Sequence, residues 1–156
     1  VTTEPIPAVV AIDRGRRPLG RTAAWLAKQV EIGLATVDLS VSQYRILSLL
    51  DESSAASSHL AERLAVRPPT ITAVVDGLVT RGLVERRAVE GDRRRVDHVL
   101  TDEGHRVLDA ADTAVEERLR GVTDALDDPE AAEAAFRGLA AWRTAFVAYT
   151  RARWGR

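Results

Sequence analysis

The chain has 156 residues, with 22 Lys+Arg against 23 Asp+Glu, three His, no Cys and no Met. That length suits one domain of ordinary size. The missing Cys excludes a disulfide framework, a thiolate metal site and a cysteine redox switch. The longest apolar runs fall far short of the ~20 residues that span a bilayer, and the first 20 residues carry no apolar core of a secretory signal. A soluble cytoplasmic protein with no membrane partner is therefore expected; position 1 is Val, which leaves the native start open.

The formal charge of -1 is unevenly spread. Residues 99–136 hold eleven acids and three bases, residues 86–95 hold five Arg and two acids, and residues 137–156 hold five Arg and no acid. A near-neutral total is thus compatible with nucleic-acid binding through a local basic element. Lys28 is the single lysine, so Arg is also the general surface cation.

Residues 1–18 carry Pro at 5, 7 and 18 and read as an irregular arm. From Leu19 the apolar positions 19, 23, 26, 30, 34 and 37 lie three and four apart, which is one helix face. Ser40 with Gln43 has capping-box form, and the helix it opens carries Tyr44, Leu47 and Leu50 on one face, with Ile46 beside them. Residues 51–58 read as a polar connector. Ser57 is placed to cap a short helix whose buried side is Leu60, Ala61 and Leu64.

Pro68 and Pro69 suit a helix start, where the missing N–H groups would be unpaired anyway. Ile71, Val74, Val75 and Leu78 follow as an i, i+3, i+4, i+7 stripe, with Gly82 as the expected C-terminal cap. Residues 83–87 and 96–100 read as two short strands around a loop at 88–95 that contains Gly91-Asp92. Thr101 is a cap, and Asp102 and Glu103 favour the positive end of the next helix. Its apolar positions 108, 111, 115, 119, 122 and 126 form a long seam of coiled-coil type. Asp128, Pro129 and Glu130 open a last helix, whose apolar members include Phe136, Leu139, Phe146 and Val147.

Three helices followed by a hairpin describe a winged helix-turn-helix. The predicted fold class is mainly α (α+β): about six helices and a two-stranded wing, with the winged lobe attached to long helices. In this geometry the helix from His59 braces the helix from Pro69, which enters the DNA major groove by its N-terminal half. The outward side of that helix is Pro69, Thr70, Thr72, Ala73 and Asp76. Small hydroxyl and methyl groups permit close approach, and Thr bonds either a base or a phosphate. Arg67 stands at the helix entrance. The hairpin carries Arg93, Arg94 and Arg95 to one tip, where guanidinium groups suit a narrow minor groove.

These residues resemble the MarR-type winged helix-turn-helix transcriptional regulators. The matching pieces run from 39 to 104: LSVSQYRIL at 39–47, LAERL at 60–64, PTIT at 69–72, VDGL at 75–78, RGLV at 81–84, GDRR at 91–94 and LTDEG at 100–104. Their order and spacing carry the resemblance together. It implies a homodimer, in which residues 19–37 and 102–153 form a helical dimerisation region and residues 39–100 the DNA-binding lobe. It also implies that Asp92 positions the wing and Arg94 reads the minor groove, with Arg93 and Arg95 on phosphates. A pocket between lobe and dimer helices would take a small aromatic effector. Trp25, alternatively interface packing, and Tyr44, alternatively a core residue with a satisfied hydroxyl, are the candidates to line it.

The sequence departs from the family pattern at Ala73 and Gly77, where many relatives carry a basic residue. Asp76 should repel phosphate unless it pairs with an Arg or accepts from a cytosine.

His59, His98 and His105 lie apart from one another and from any carboxylate cluster of ligand spacing, so neither a metal nor another cofactor is expected. There is no Gly-rich phosphate loop, G-x-S-x-G or H-E-x-x-H, so an enzyme is not expected. The reading is a sequence-specific regulator of transcription, a ligand-responsive repressor. It would act on a palindromic double-stranded operator whose half-sites lie one helical turn, about 34 Å, apart. Two other readings stay open: a winged-helix module that binds protein, suggested by the small residues at 73 and 77, and a constitutive regulator without effector.

Overall fold

The computed structural model describes residues 19–89 and 92–154, with side chains at 19–89, 96–149 and 152. The arm expected at 1–18 lies outside the described residues. In chain order the elements are α1 (Leu19–Ala35), α2 (Val41–Glu52), α3 (Ser57–Leu64), α4 (Pro68–Thr80), β1 (Val84–Val89), β2 (Asp92–Leu100), α5 (Asp102–Thr123) and α6 (Pro129–Trp154). The mainly helical fold with a two-stranded antiparallel wing is the one expected.

Local chemistry sets most of the boundaries. Ser40 accepts from the Gln43 amide at 3.2 Å while Gln43 Oε1 accepts from the Ser40 amide at 2.9 Å, closing the capping box of α2. Pro68 and Pro69 occupy the first two positions of α4. Gly82, at φ +71°, follows the C-cap of α4 and turns the chain into the wing. Thr101 Oγ1 accepts from the Gly104 amide at 3.0 Å and donates to Gly82 O at 2.7 Å. The start of α5 is thereby tied to the end of α4.

Three local expectations need correction. Ser57 does not cap α3. It is the first helical residue, Ala56 is the N-cap, and no side chain bonds the first turn. The cause lies in the connector, where Ala55 is held extended by a two-way backbone bridge to His98, with N···O of 3.2 and 2.9 Å. The connector is therefore not merely a polar link. The strands are also longer than 83–87 and 96–100, because pairing continues to Val89 and Asp92 across a register shift between Ala88 and Val89. The predicted loop at 88–95 shrinks accordingly.

One buried cluster fills the lobe. It joins Ile46, Leu47 and Leu50 of α2, Leu60 and Ala61 of α3, and Ile71, Val75 and Leu78 of α4 to Leu83 and Val84 at the wing root. Each Leu, Ile or Val among them contributes about 1.5–3 kcal/mol when fully buried. The cluster extends to Leu34 of α1 and to Leu108 and Ala111 of α5, so both long helices are rooted in the lobe core. Above that root α1 lies close along α5: a Cβ on Gly33 would come within 3.0 Å of the backbone at Ala114 and Val115. Arg118 Nε donates to Gln29 Oε1 at 2.8 Å across the same contact.

Burial fades along the seam of α5. Leu108 and Ala111 are buried, Val115, Leu119 and Val122 half-buried, and Leu126 exposed. On α6 Phe136 and Leu139 are half-buried, whereas Trp142, Phe146, Val147 and Tyr149 are exposed. Helix α6 stands largely clear of the other elements of its own chain.

Candidate nucleic-acid interface

Helix α4 presents two chemically different sides. Ile71, Val75 and Leu78 face the core, and α3 lies against them. Pro69, Thr70, Thr72, Ala73 and Asp76 are all exposed, as the apolar stripe predicted. Thr72 Oγ1 donates back to Pro68 O at 3.1 Å, which leaves its lone pairs turned to solvent as acceptors. Arg67 is the exposed N-cap residue of α4, in extended backbone conformation, with no side-chain cap bond.

The wing stands beside this helix. Asp92 lies opposite Val89 in the ladder, so the backbone of residues 92–95 forms the distal part of β2. The side chains of Asp92, Arg93, Arg94 and Arg95 lie outside the described residues. Lower on the wing, Arg86 of β1 makes an ion pair with Asp76 of α4. Asp76 therefore has an arginine partner in the free protein. Arg86 was not singled out from the sequence. Ten residues separate it from Asp76, a spacing with no local meaning across a helix end and a turn.

A helix-turn-helix with small hydroxyl groups outward and an arginine-bearing hairpin alongside has the parts of a duplex reader. The family model described as MarR family matches residues 37–95. The homoprotocatechuate degradative operon repressor of Escherichia coli is 33% identical over 86 residues, covering 54% of this chain and 58% of that protein. The chain thus spans a little over half the length of that curated relative.

Two solved structures extend the likeness over most of the fold. The transcriptional repressor CouR bound to a 23-mer DNA duplex has a TM-score of 0.64 and 28% identity, covering 80% of this chain and 89% of that one. CouR from Rhodococcus jostii RHA1 bound to p-coumaroyl-CoA has a TM-score of 0.61 and 27% identity, covering 78% and 85%.

Over residues 37–95 the chain is similar to the MarR family. Members that it resembles are regulators of transcription. Among the described residues, no helix is long and apolar enough to cross a membrane.

Of the two pocket candidates, Tyr44 joins the lobe to α5. Its hydroxyl donates to Asp112 Oδ1 at 2.5 Å. Burial, and then the hydrogen bond and negative charge of Asp112, push the Tyr44 phenol up to about 12. Trp25 lies on α1 with 59% of its surface exposed. A cleft of about 320 Å³ between α5 and α6 contains neither; Arg120, Leu126, Pro129 and Phe136 are among its walls. There the Arg120 guanidinium sits 4.8 Å from the centre of the Phe136 ring.

The Tyr44 shift has a signed consequence. The folded phenol holds its proton more tightly than the unfolded one, whose value is near 10. The resulting stability is fully present below pH ~10 and is lost as pH rises from ~10 through ~12. Tyr44→Phe should abolish that part of the alkaline decline. A denaturant titration of both proteins between pH 9 and 12 checks it; parallel curves would show that Tyr44 does not carry the effect.

Proposed function

We propose that this chain is a sequence-specific, double-stranded-DNA-binding transcriptional regulator. It works as a homodimer on a palindromic operator, as a repressor released by a small aromatic effector. The single observation that carries the reading is the exposed face of α4, Pro69, Thr70, Thr72 and Ala73, on a helix fixed from behind by α3 and flanked by a wing. The DNA-bound CouR structure supports it. The effector class is supported by the p-coumaroyl-CoA complex of CouR and by the name of the homoprotocatechuate operon repressor.

Residues 39–100 serve as the reading lobe, and residues 19–37 and 102–153 as the dimerisation region. The exposed rings of α1 and α6 support that division, since Trp25 and Trp142 lie 59% and 61% open in a single chain. Arg67, Arg93 and Arg95 supply phosphate contacts, Thr70 and Thr72 face base edges, and Arg94 enters the minor groove from the wing tip that Asp92 shapes. Tyr44, where α5 meets the lobe, and Trp25, exposed on α1, are the candidates to touch the effector.

The test is selection of bound sequences from a random duplex pool. A palindrome with half-sites one helical turn apart is the expected product. Recovery of no preferred sequence, at low salt and micromolar protein, overturns the reading.

Two substitutions then follow. Arg94→Ala should weaken binding to the selected operator by roughly 1–3 kcal/mol without lowering thermal stability. Thr72→Val removes a solvent-facing hydroxyl, so the fold should persist while base preference changes more than the salt slope does. Competition titrations with single-base operator variants read both. An unchanged preference profile for Thr72→Val would take that residue off the base edge.

A further inference from the structure

The wing is tied to the helices through one cross-strand pair. Arg86 and His98 lie directly opposite each other in the β1–β2 ladder, and directly opposed residues place their side chains on the same face. Both reach the helix-turn-helix. His98, 5% exposed, exchanges two backbone hydrogen bonds with Ala55 in the α2–α3 connector. Its Nδ1 lies 3.1 Å from the same carbonyl; a carbonyl only accepts, so Nδ1 carries the proton. Arg86 reaches the other way, to Asp76 on the outward side of α4. Below this pair the root is held by the Thr101 hydroxyl on Gly82 O. Beyond it come the register shift at Ala88 and Val89 and then the tip.

We propose that Asp76 and Arg86 form a clamp that sets the wing's angle over the recognition helix. On this view Arg86 is a positioning residue, not a phosphate contact, and Asp76 belongs to the wing's support, not to the base-reading set. The inference rests on the DNA-binding reading above. A wing tip can enter the minor groove while α4 occupies the adjacent major groove at only a narrow range of angles. His98 fixes one side of the wing to the connector, and Arg86 fixes the opposite strand to α4. Neutralising Asp76 by an intramolecular arginine also removes the repulsion that a bare carboxylate beside a phosphate row would cause.

The pair is half-exposed on both sides. Such ion pairs contribute little to global stability, so the clamp should act on the wing's orientation and leave the melting temperature in place. Exposed pairs of this kind correspond to about 1.4- to 5-fold in an equilibrium constant. Two lobes on one operator then give roughly 2- to 25-fold in affinity if the lobes act independently.

The sign of one substitution decides the matter. Removing a negative charge beside DNA ordinarily strengthens binding. If Asp76 is half of a clamp, Asp76→Ala weakens operator binding instead. Arg86→Ala should weaken it by a similar factor, with the same salt slope as the parent, and the double variant should be no worse than either single one. In the free proteins, amide exchange of the wing should quicken in both single variants while the core helices stay protected.

Tighter binding by Asp76→Ala, together with a salt slope for Arg86→Ala lower by about one phosphate contact, would make Arg86 a backbone contact and overturn the clamp. Unchanged wing exchange in both variants would overturn it too, without any reference to DNA. If the parent protein selects no duplex, the DNA-binding reading fails while the exchange measurement still decides whether the clamp exists.

Discussion

Phe146→Asp is expected to turn the protein into a folded monomer that no longer holds a palindromic duplex. In a single chain Phe146 is 60% exposed, with its ring 5.6 Å from that of Trp142, which is 61% exposed. A charge there displaces little that one chain buries for itself, so the lobe core of Ile71, Val75 and Leu78 should be untouched. A dimer that covers the α6 face would bury the same carboxylate without a partner, at a cost of several kcal/mol. Twofold symmetry places that defect in the interface twice. A total of about 4 kcal/mol already raises the dimer dissociation constant roughly a thousandfold.

Sedimentation at micromolar concentration should show monomer for Phe146→Asp and dimer for the parent, with parental unfolding that depends on protein concentration. Operator affinity should collapse with dimerisation, because one lobe cannot keep two half-sites in register. A variant that remains dimeric and binds the palindrome as before would remove the α6 face from the interface.

Release of the operator by an effector that changes the spacing of the two lobes needs each lobe to follow the long helices. Leu108 and Ala111 of α5 sit in the lobe core. Two polar contacts flank them: His105 Nδ1 lies 3.2 Å from Asp51 Oδ1 on α2, and the Tyr44 hydroxyl reaches Asp112. A rotation of α5 about its upper contact with α1 would therefore carry α4 and the wing with it. An effector changes the spacing of two such lobes only by its difference in affinity for the two arrangements. Tyr44 lies at the joint where such a difference would be felt.

How much of this was legible in the sequence follows from the range of each interaction. Ser40 with Gln43, Thr101 with Gly104, and Pro68-Pro69 each act within one helical turn, and each was readable and is observed. The stripe of Ile71, Val75 and Leu78 obeys the 3.6-residue period, so the outward set followed from it. The Ala55–His98 bridge is a single residue pair 43 positions apart and has no period to detect. Ser57 looked like a cap for that reason, because nothing nearby shows that Ala55 is held extended. The Asp76–Arg86 pair and the Tyr44–Asp112 bond exist only once wing and α5 are docked on the lobe. The sequence supplied the alternatives open to Asp76; the fold selects the arginine.

Gly104→Ala should be the most damaging small substitution where α5 meets the lobe. Gly104 is buried in the first turn of α5, and a Cβ there would lie 2.1 Å from Leu83 O and 3.3 Å from Leu100 Cδ2. The first of these is backbone, so no rotamer change relieves it. Leu83 O also accepts from the Thr101 amide at 3.2 Å, and Leu83 itself is in the buried cluster. Moving it disturbs the cap of α5, the wing root and the core together. Inserted methyl groups in packed interiors cost about 1–3 kcal/mol and occasionally more; a clash with fixed backbone belongs at the top of that range.

At roughly 2–4 °C per kcal/mol for a chain of this size, the melting temperature should fall by about 6–12 °C. The favourable change from glycine to alanine in a helix, about 1 kcal/mol, opposes this and leaves a net fall of about 4–8 °C. The exposed helical Gly138, which has open space around it, supplies the control: Gly138→Ala should be neutral or slightly stabilising. Thermal denaturation of the two variants side by side tests the geometry. A Gly104→Ala protein as stable as Gly138→Ala would mean that α5 does not approach Leu83 as described, and that the wing root is not built from the Thr101 cap.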